Sequence, residues 1–246
     1  MLTEALQILY QDDYFVAVHK PAGLLVHRSN IDPHETSFLL QRLRDQLDRY
    51  LYPIHRLDKP TSGLILFAFD PVTAAKIQAM MAANEATKEY LLVCRGYTPE
   101  SGFIDHAIRP IDEFKHKRKE AREPREAQEA QTEYRRLATV ELPVCVDKYP
   151  ASRYSLVLAK LLTGRKHQLR RHFKHLSHPI IGCPKYGKSS HNHYFAEQLM
   201  APRLLLHSYR MAMKHPQTGE SLLITCAPGG AFRELMARFN WLQSVD

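Results

Sequence analysis

His55-Arg56-Leu57-Asp58-Lys59-Pro60-Thr61-Ser62-Gly63 runs directly into Leu64-Ile65-Leu66-Phe67-Ala68-Phe69, and this junction organises the reading of the chain. The second half is the longest uninterrupted apolar run in the sequence, and Asp70-Pro71 closes it. A short apolar run bounded by turn residues predicts a buried strand. It is far too short to cross a membrane, which takes roughly 20 apolar residues. The loop in front of the strand carries one acid, Asp58, with basic residues on both sides that favour its ionised form. Pro60 and Gly63 restrict the loop backbone, and the apolar strand gives it a rigid mount. An aspartate in such a loop also serves as an ordinary turn residue. On these residues alone, a reactive carboxylate and a turn residue both fit.

Strand and helix signals extend outward from this point. Leu6 to Tyr10 and Tyr14 to Val18 read as two strands around Gln11-Asp12-Asp13. Leu40, Leu43, Leu47 and Leu51 recur at helical spacing, with Thr36 or Ser37 available as a cap. Asp70 caps a helix expected to run to about Asn84, with Pro71 at its first position. Further strands are expected at Tyr90 to Cys94, Phe103 to Ile108, Thr132 to Val140, Tyr154 to Leu162, Leu204 to Met213 and Leu222 to Cys226. Helical spacing covers Arg165 to Leu176 and Ala231 to Phe239. On the first of these helices Arg165, Leu169 and His172 would share a face, with His167, Arg170 and Arg171 fanned across another. The pattern predicts an α+β fold with a mixed, largely antiparallel sheet, in a single domain over residues 1–246. Pro110 to Gln131, crowded with charge and almost free of apolar residues after Phe114, reads as an exposed excursion.

Charge is unevenly spread. The chain of 246 residues carries 34 Lys and Arg against 26 Asp and Glu, a net charge of +8. From Lys148 through Phe195 there is no acid, while Lys148, Arg153, Lys160, Arg165, Lys166, Arg170, Arg171, Lys174, Lys185 and Lys188 all fall inside. Such a strip is either a solvated basic surface or a footprint for a phosphate backbone. The four cysteines form no C-x-x-C pair, and free thiols in a reducing cytoplasm are expected. No signal peptide is expected at the start. His172, His175 and His178 fall at three-residue intervals, but no carboxylate accompanies them and H-E-x-x-H is absent, so no metal site is expected.

Taken together, the motifs resemble the RNA pseudouridine synthases of the large-subunit-rRNA and tRNA (RluA-type) family. His55-Arg56-Leu57-Asp58 with Thr61-Ser62-Gly63 resembles the family's catalytic motif, and Lys88-Glu89-Tyr90 its tyrosine motif. Thr163-Gly164-Arg165-x-His167-Gln168-Leu169-Arg170-x-His172 resembles its third motif, and His178-Pro179-Ile180-Ile181-Gly182 the segment after it. Ile8-Leu9-Tyr10-Gln11-Asp12 and Lys20-Pro21-x-Gly23 match the first strand and turn. The resemblance runs in order from about Ile8 to Trp241. Cys183 departs from it, standing where the family usually has Asp.

The resemblance implies the pseudouridine synthase fold and isomerisation of uridine to pseudouridine in RNA, with no cofactor. It assigns Asp58 as the catalytic carboxylate, Arg170 as its cation with Arg165 as the alternative, and Tyr90 as the ring that stacks on the flipped base and takes its final proton. It implies that Arg56 fills the space the base leaves, and that Arg165, Lys166, His167 and Arg171 contact RNA. Leu25-Val26-His27-Arg28-Ser29 and Arg153-Tyr154 are points of likeness to a tRNA-modifying branch, implying uridine 65 of certain tRNAs as the target. Large-subunit rRNA is the alternative substrate, and a non-catalytic RNA-binding module the alternative class. The protein is expected to act as a cytoplasmic monomer.

Overall fold

The strand after Asp58 lies in the interior of the sheet, third in its order from one edge. A computed structural model describes residues 5–27, 36–111 and 125–245. In it the apolar run becomes β4, Ser62–Ala68, and all seven of its residues are buried. A continuous apolar run, rather than an alternating one, is what a strand covered on both faces requires.

The other strands are β1 (Ile8–Gln11), β2 (Phe15–Lys20), β3 (Tyr52–Pro53), β5 (Thr87–Arg95), β6 (Ser101–Asp105), β7 (Gln131–Leu142), β8 (Ser152–Leu161), β9 (Leu206–Lys214) and β10 (Ser221–Thr225). The helices are α1 (Leu39–Leu47), α2 (Pro71–Ala82), α3 (Gln168–His175), α4 (Ser189–Glu197) and α5 (Gly230–Arg238). The sheet order is β1-β2-β4-β9-β5-β8-β7-β6, with β3 added on β4 and β10 on β9. Among the described residues every strand pairing is antiparallel except β4 with β9. The fold is therefore α+β on a mixed, mostly antiparallel sheet.

Alternation along the strands sorts the core into two faces. Ile65, Phe67, Tyr90, Leu92, Val157 and Ala159 pack with Leu39 and Leu43 of α1 and Leu169 and Phe173 of α3. On the other face, Leu64 and Leu66 meet Ala74 and Ile77 of α2. Farther along that face, Leu91, Val93 and Leu156 meet Phe195 of α4 and Phe232, Leu235 and Met236 of α5.

The β4–β9 join dictates Gly63. Its φ is +110°, and a Cβ there would lie 2.6 Å from the backbone nitrogen of Ser208, closer than non-bonded atoms approach.

Two expectations are corrected. The first helix takes no cap from Thr36 or Ser37: Phe38 stands at the cap position without a side-chain hydrogen bond. It is fixed instead by the backbone, since Leu39 N donates to Leu25 O and Leu40 N to Val26 O. The third-motif helix begins at Gln168, not Arg165, because His167 sits in the left-handed region at φ 58°. Of the excursion expected at 110–131, residues 112–124 lie outside the described residues. At its far end the described residues 125–129 are exposed, and Ile108 and Gln128 exchange backbone hydrogen bonds of 2.7 and 3.0 Å. Sequence reading also passed over α4, whose residues (Ser189-Ser190-His191-Asn192-His193-Tyr194-Phe195) show little apolar periodicity.

Candidate active site

The loop before β4 is anchored from beneath. Thr61 N donates to Asp58 O at 3.0 Å, closing the reversal around Lys59-Pro60. The fully buried ammonium of Lys20 donates to the carbonyls of Lys59 (3.0 Å), Pro21 (2.9 Å) and Leu24 (2.8 Å). Gly23 N adds a hydrogen bond to Lys59 O. Burial pulls the Lys20 ammonium down to about 7, Arg203 pushes the same way, and Asp58 pulls against both. Three carbonyl acceptors supply the hydrogen bonds this buried group needs.

Opposite the loop, the turn into α3 is built around the carboxamide of Gln168. Its oxygen accepts from Arg165 N and from the Thr163 hydroxyl, both at 2.9 Å. Its nitrogen donates to Gln131 O and to the Thr132 hydroxyl oxygen on β7. This fixes the start of α3 against the sheet and aims Arg170 across the gap. Arg170 NH1 donates to Asp58 Oδ2 at 2.9 Å, and its Nε donates to Cys183 Sγ at 3.3 Å. The guanidinium also lies over the Tyr186 ring, 5.4 Å from its centroid. Burial works against the charge of Arg170, but its bonds to Cys183 and Asp58 outweigh this and hold it above the ordinary guanidinium value. The side chains of Arg170 and Asp58 are 5% and 19% exposed, so the pair sits at the inner wall of a cleft rather than on open surface.

His167 Nε2 lies 3.7 Å from the same carboxylate oxygen. Burial brings this imidazole down to about 4, with Asp58 opposing and Arg170, Lys166 and Lys185 reinforcing. It is therefore neutral at pH 7, a polar neighbour rather than an ion-pair partner. Its Nδ1 shares a hydrogen bond with the Tyr186 hydroxyl at 3.1 Å.

Asp58, Arg170, His167, Arg56, Arg165 and Tyr90 all line one cavity of about 280 Å³. Leu57, Leu161, Leu169, Leu206 and Met81 supply apolar wall. Ligand cavities span about 300–1,000 Å³, so this one suits a single nucleotide and not a duplex. Tyr90 is buried against Leu169, Leu57 and Leu206. Burial pushes its hydroxyl up to about 12, with Ser208 hydrogen-bonding it and the charge of Asp58 nearby. Beside it the β5–β9 register slips, Glu89 facing Arg210 and Tyr90 facing Ser208, so Tyr209 is an extra residue. Bulges of this kind re-aim side chains next to sites.

Two residues expected to contact RNA do not line the cavity. Lys166 lies within the electrostatic reach of Arg56 and Asp58 but is not part of the wall. Arg171 points elsewhere, its NH1 donating to Arg109 O at 2.7 Å. Arg165 is not on the helix, so it shares no face with Leu169 and His172; its Nε is held by Glu129 O at 2.9 Å.

The acid-free strip is also less uniform in space than in sequence. Arg153 meets Glu141 at 2.5 Å, Lys160 meets Glu133 at 3.2 Å, and Lys188 meets Asp147 at 3.0 Å. Acids from outside the strip thus neutralise part of it, and Arg165, Lys166, Arg170 and Lys185 remain grouped around Asp58 and His167.

The histidines have structural partners. His172 bonds to the Thr132 hydroxyl and His106 O, His175 stacks on His106 at 3.8 Å, and His178 bonds to Arg95 O. Among the described residues no group of three or more His, Cys, Asp or Glu is placed to hold a metal ion, and no helix is long and apolar enough to cross a membrane.

Sequence reading placed Lys20 in the first turn without giving its ammonium a role, and missed Tyr186 and Arg203. Tyr186 was findable as the aromatic between Lys185 and Gly187 inside the basic strip. Arg203, whose NH2 donates to the Ser62 hydroxyl oxygen at 2.7 Å, has no sequence signal.

Comparison with known proteins adds to this geometry. The sequence pattern of a family described as RNA pseudouridylate synthase matches residues 14–175. A tRNA pseudouridine synthase C of Vibrio vulnificus (strain CMCP6) is 46% identical over 236 residues, covering 96% of both chains. A protein of the same name from Pasteurella multocida (strain Pm70) is 45% identical over 236 residues, covering 96% of this chain and 97% of its own. Among solved structures, Human RNA Pseudouridylate Synthase Domain Containing 4 superposes with a TM-score of 0.68 at 26% identity, covering 95% of this chain and 92% of that one.

Proposed function

We propose that this chain, which belongs to the RNA pseudouridylate synthase family, isomerises uridine 65 of certain tRNAs to pseudouridine. The observation that carries the reading is the Asp58–Arg170 pair, 2.9 Å apart in the wall of a cavity sized for one nucleotide. The names of the relatives, tRNA pseudouridine synthase C, support tRNA as the substrate.

The reaction moves a base from one attachment to another and keeps every atom of the uridine except exchanged protons. The target base lies in a helical arm and must leave its stack, at a cost of a few kcal/mol. Arg56 at the rim takes the vacated space, and the extruded uracil enters the cavity against Tyr90. Arg170, donating to Asp58 Oδ2 at 2.9 Å, holds the carboxylate aimed at the nucleoside, where it acts as nucleophile or acid–base group. The neutral phenol of Tyr90 takes the C5 proton only as it passes its own proton on, and Ser208 at its hydroxyl offers a route. Lys166 and Arg165 contact phosphates flanking the extruded nucleotide. We place the enzyme in the cytoplasm, acting as a monomer through one domain.

Pseudouridine mapping of total RNA from cells with and without this gene tests the proposal. Loss of the signal at position 65 of tRNAs alone is the expected result. Loss confined to large-subunit rRNA would reassign the substrate, and an unchanged map with intact RNA binding would leave a non-catalytic RNA-binding module.

A further inference from the structure

The cavity holds one more cation, which the reading above leaves without a role. Lys88 stands on β5 two residues before Tyr90, so both side chains leave the same face of the sheet. Both line the cavity, where Met81, Leu161 and Leu206 form the adjoining wall. Leu161 and Met211 are its cross-strand partners, and neither can accept its charge. The neighbouring acid, Glu89, leaves the opposite face and is taken by Arg210 at 2.6 Å. Among the described residues Lys88 has no ion-pair partner, whereas Arg170 is bound to Asp58 and Cys183 and Arg165 is held by Glu129 O. A half-buried ammonium without a counter-ion is costly in the free protein and becomes favourable when an anion arrives beside it. Burial lowers its proton affinity, in keeping with that cost.

The chemistry produces such an anion. When the C1′–N1 bond breaks, its electron pair stays with the base, and uracil becomes an anion delocalised over N1, O2 and O4. The Asp58 carboxylate balances the electron-poor sugar. The base then turns, its electrons form the C5–C1′ bond, C5 loses its proton, and N1 gains one from solvent. In the proposed reading Asp58 and Arg170 serve the sugar and Tyr90 serves the base. Lys88 lines the same cavity, two residues from Tyr90 on β5 and within electrostatic reach of His55 at the start of the Asp58 loop.

We propose that Lys88 is a further catalytic residue, the cation that stabilises the uracil anion while it is detached from the ribose. A fixed charge in a mostly apolar wall acts most strongly on charge that develops during the reaction. The inference rests on the pseudouridine synthase reading of the site.

The test compares wild type, Lys88→Met, Lys88→Gln and Lys88→Arg on the tRNA substrate and on the same RNA carrying 5-fluorouridine at the target. Thermal unfolding first identifies the variants that fold. Lys88→Met is expected to lower kcat by about 10²–10³-fold, the usual loss for one stabilising donor, with KM within twofold of wild type. Lys88→Arg should retain at least tenfold more activity than Lys88→Met. The electron-poor fluorinated base needs less stabilisation, so the Lys88→Met defect in rearranging it should shrink at least tenfold. If Lys88→Met does not fold, Lys88→Gln carries the same comparison.

A raised KM at unchanged kcat, with the salt slope of binding reduced by about one, would make Lys88 a phosphate contact and overturn the proposal. An equal defect on both substrates would overturn it in favour of a structural role. An inactive wild type would instead remove the reading of the site on which the proposal rests.

Discussion

Arg170→Met separates a charge that orients the carboxylate from a charge that holds RNA. Methionine keeps length and apolar bulk, so the change removes the guanidinium without opening a large cavity. The charges of Arg170 and Asp58 sit roughly 4 Å apart, worth about 4 kcal/mol at an effective dielectric constant of 20. Asp58 keeps 19% of its side-chain exposure, so water recovers part of this and about 2–3 kcal/mol is lost. At 1.36 kcal/mol per tenfold, kcat should fall about 30- to 150-fold. Arg170 is only 4% exposed and cannot reach a phosphate, so the tRNA dissociation constant should stay within threefold of wild type. Single-turnover release of tritium from [5-³H]uracil-labelled tRNA gives the rate, and filter binding gives the affinity. A double-mutant cycle with Asp58→Asn, read by urea unfolding, should show a coupling of about 2 kcal/mol. An affinity loss as large as the rate loss, or additive stabilities within about 0.5 kcal/mol, would refute the reasoning.

Tyr90→Phe keeps the ring against Leu169 and Leu206 but removes the hydroxyl beside Ser208. RNA affinity should hold within twofold while tritium release falls at least 30-fold, and release at a third of the wild-type rate would remove Tyr90 from proton transfer. Stability should fall steeply with acid between pH 6.5 and about 4. Burial holds His55, His167 and His172 near 4 and His207 near 3. Over that window the unfolded chain binds protons that the folded one refuses, so each histidine costs up to about 1.4 kcal/mol per pH unit as pH falls, and nothing above the unfolded value. Thermal melts at pH 7, 6, 5 and 4.5 check this, and a flat profile across them would contradict the burial of these rings. Lys166→Ala should lower RNA affinity and reduce its salt slope by about one, whereas Arg171→Ala, which loses a hydrogen bond to Arg109 O, should leave the slope within 0.3 of wild type. Equal slopes for both would place the RNA on another face.

Much of this architecture was legible because local signals and tertiary demands agree. Leu64 to Phe69 reads as buried, and Leu64 to Ala68 is, with Phe69 half-buried at the end of the strand; Asp70 caps its helix as its position before Pro71 suggests, accepting from Thr73 N at 2.8 Å. Reading failed where backbone conformation or a distant partner decides. Nothing in Arg165-Lys166-His167 announces that His167 adopts the left-handed region and delays the helix by a turn. α4 was invisible because its polar residues are used across the fold: Asn192 Oδ1 accepts from Gly182 N, and His191 Nδ1 meets the Tyr154 hydroxyl. The acid-free strip misled in part because Glu133, Glu141 and Asp147, which precede it in sequence, meet Lys160, Arg153 and Lys188 within it in space. At the site, Asp58, Tyr90 and Arg170 were named from motif resemblance and lie in one cavity. The anchoring roles of Lys20 and Arg203 were not legible because a buried cation resembles a surface one until its carbonyl and hydroxyl acceptors are known.

The most direct measurement is tritium release from [5-³H]uracil-labelled tRNA by wild type and Asp58→Asn, with tRNA binding measured on the same preparations. A carboxylate that works on the nucleoside predicts release by wild type, none above background by the variant, and dissociation constants within threefold of each other. Release by Asp58→Asn at a tenth or more of the wild-type rate would contradict it.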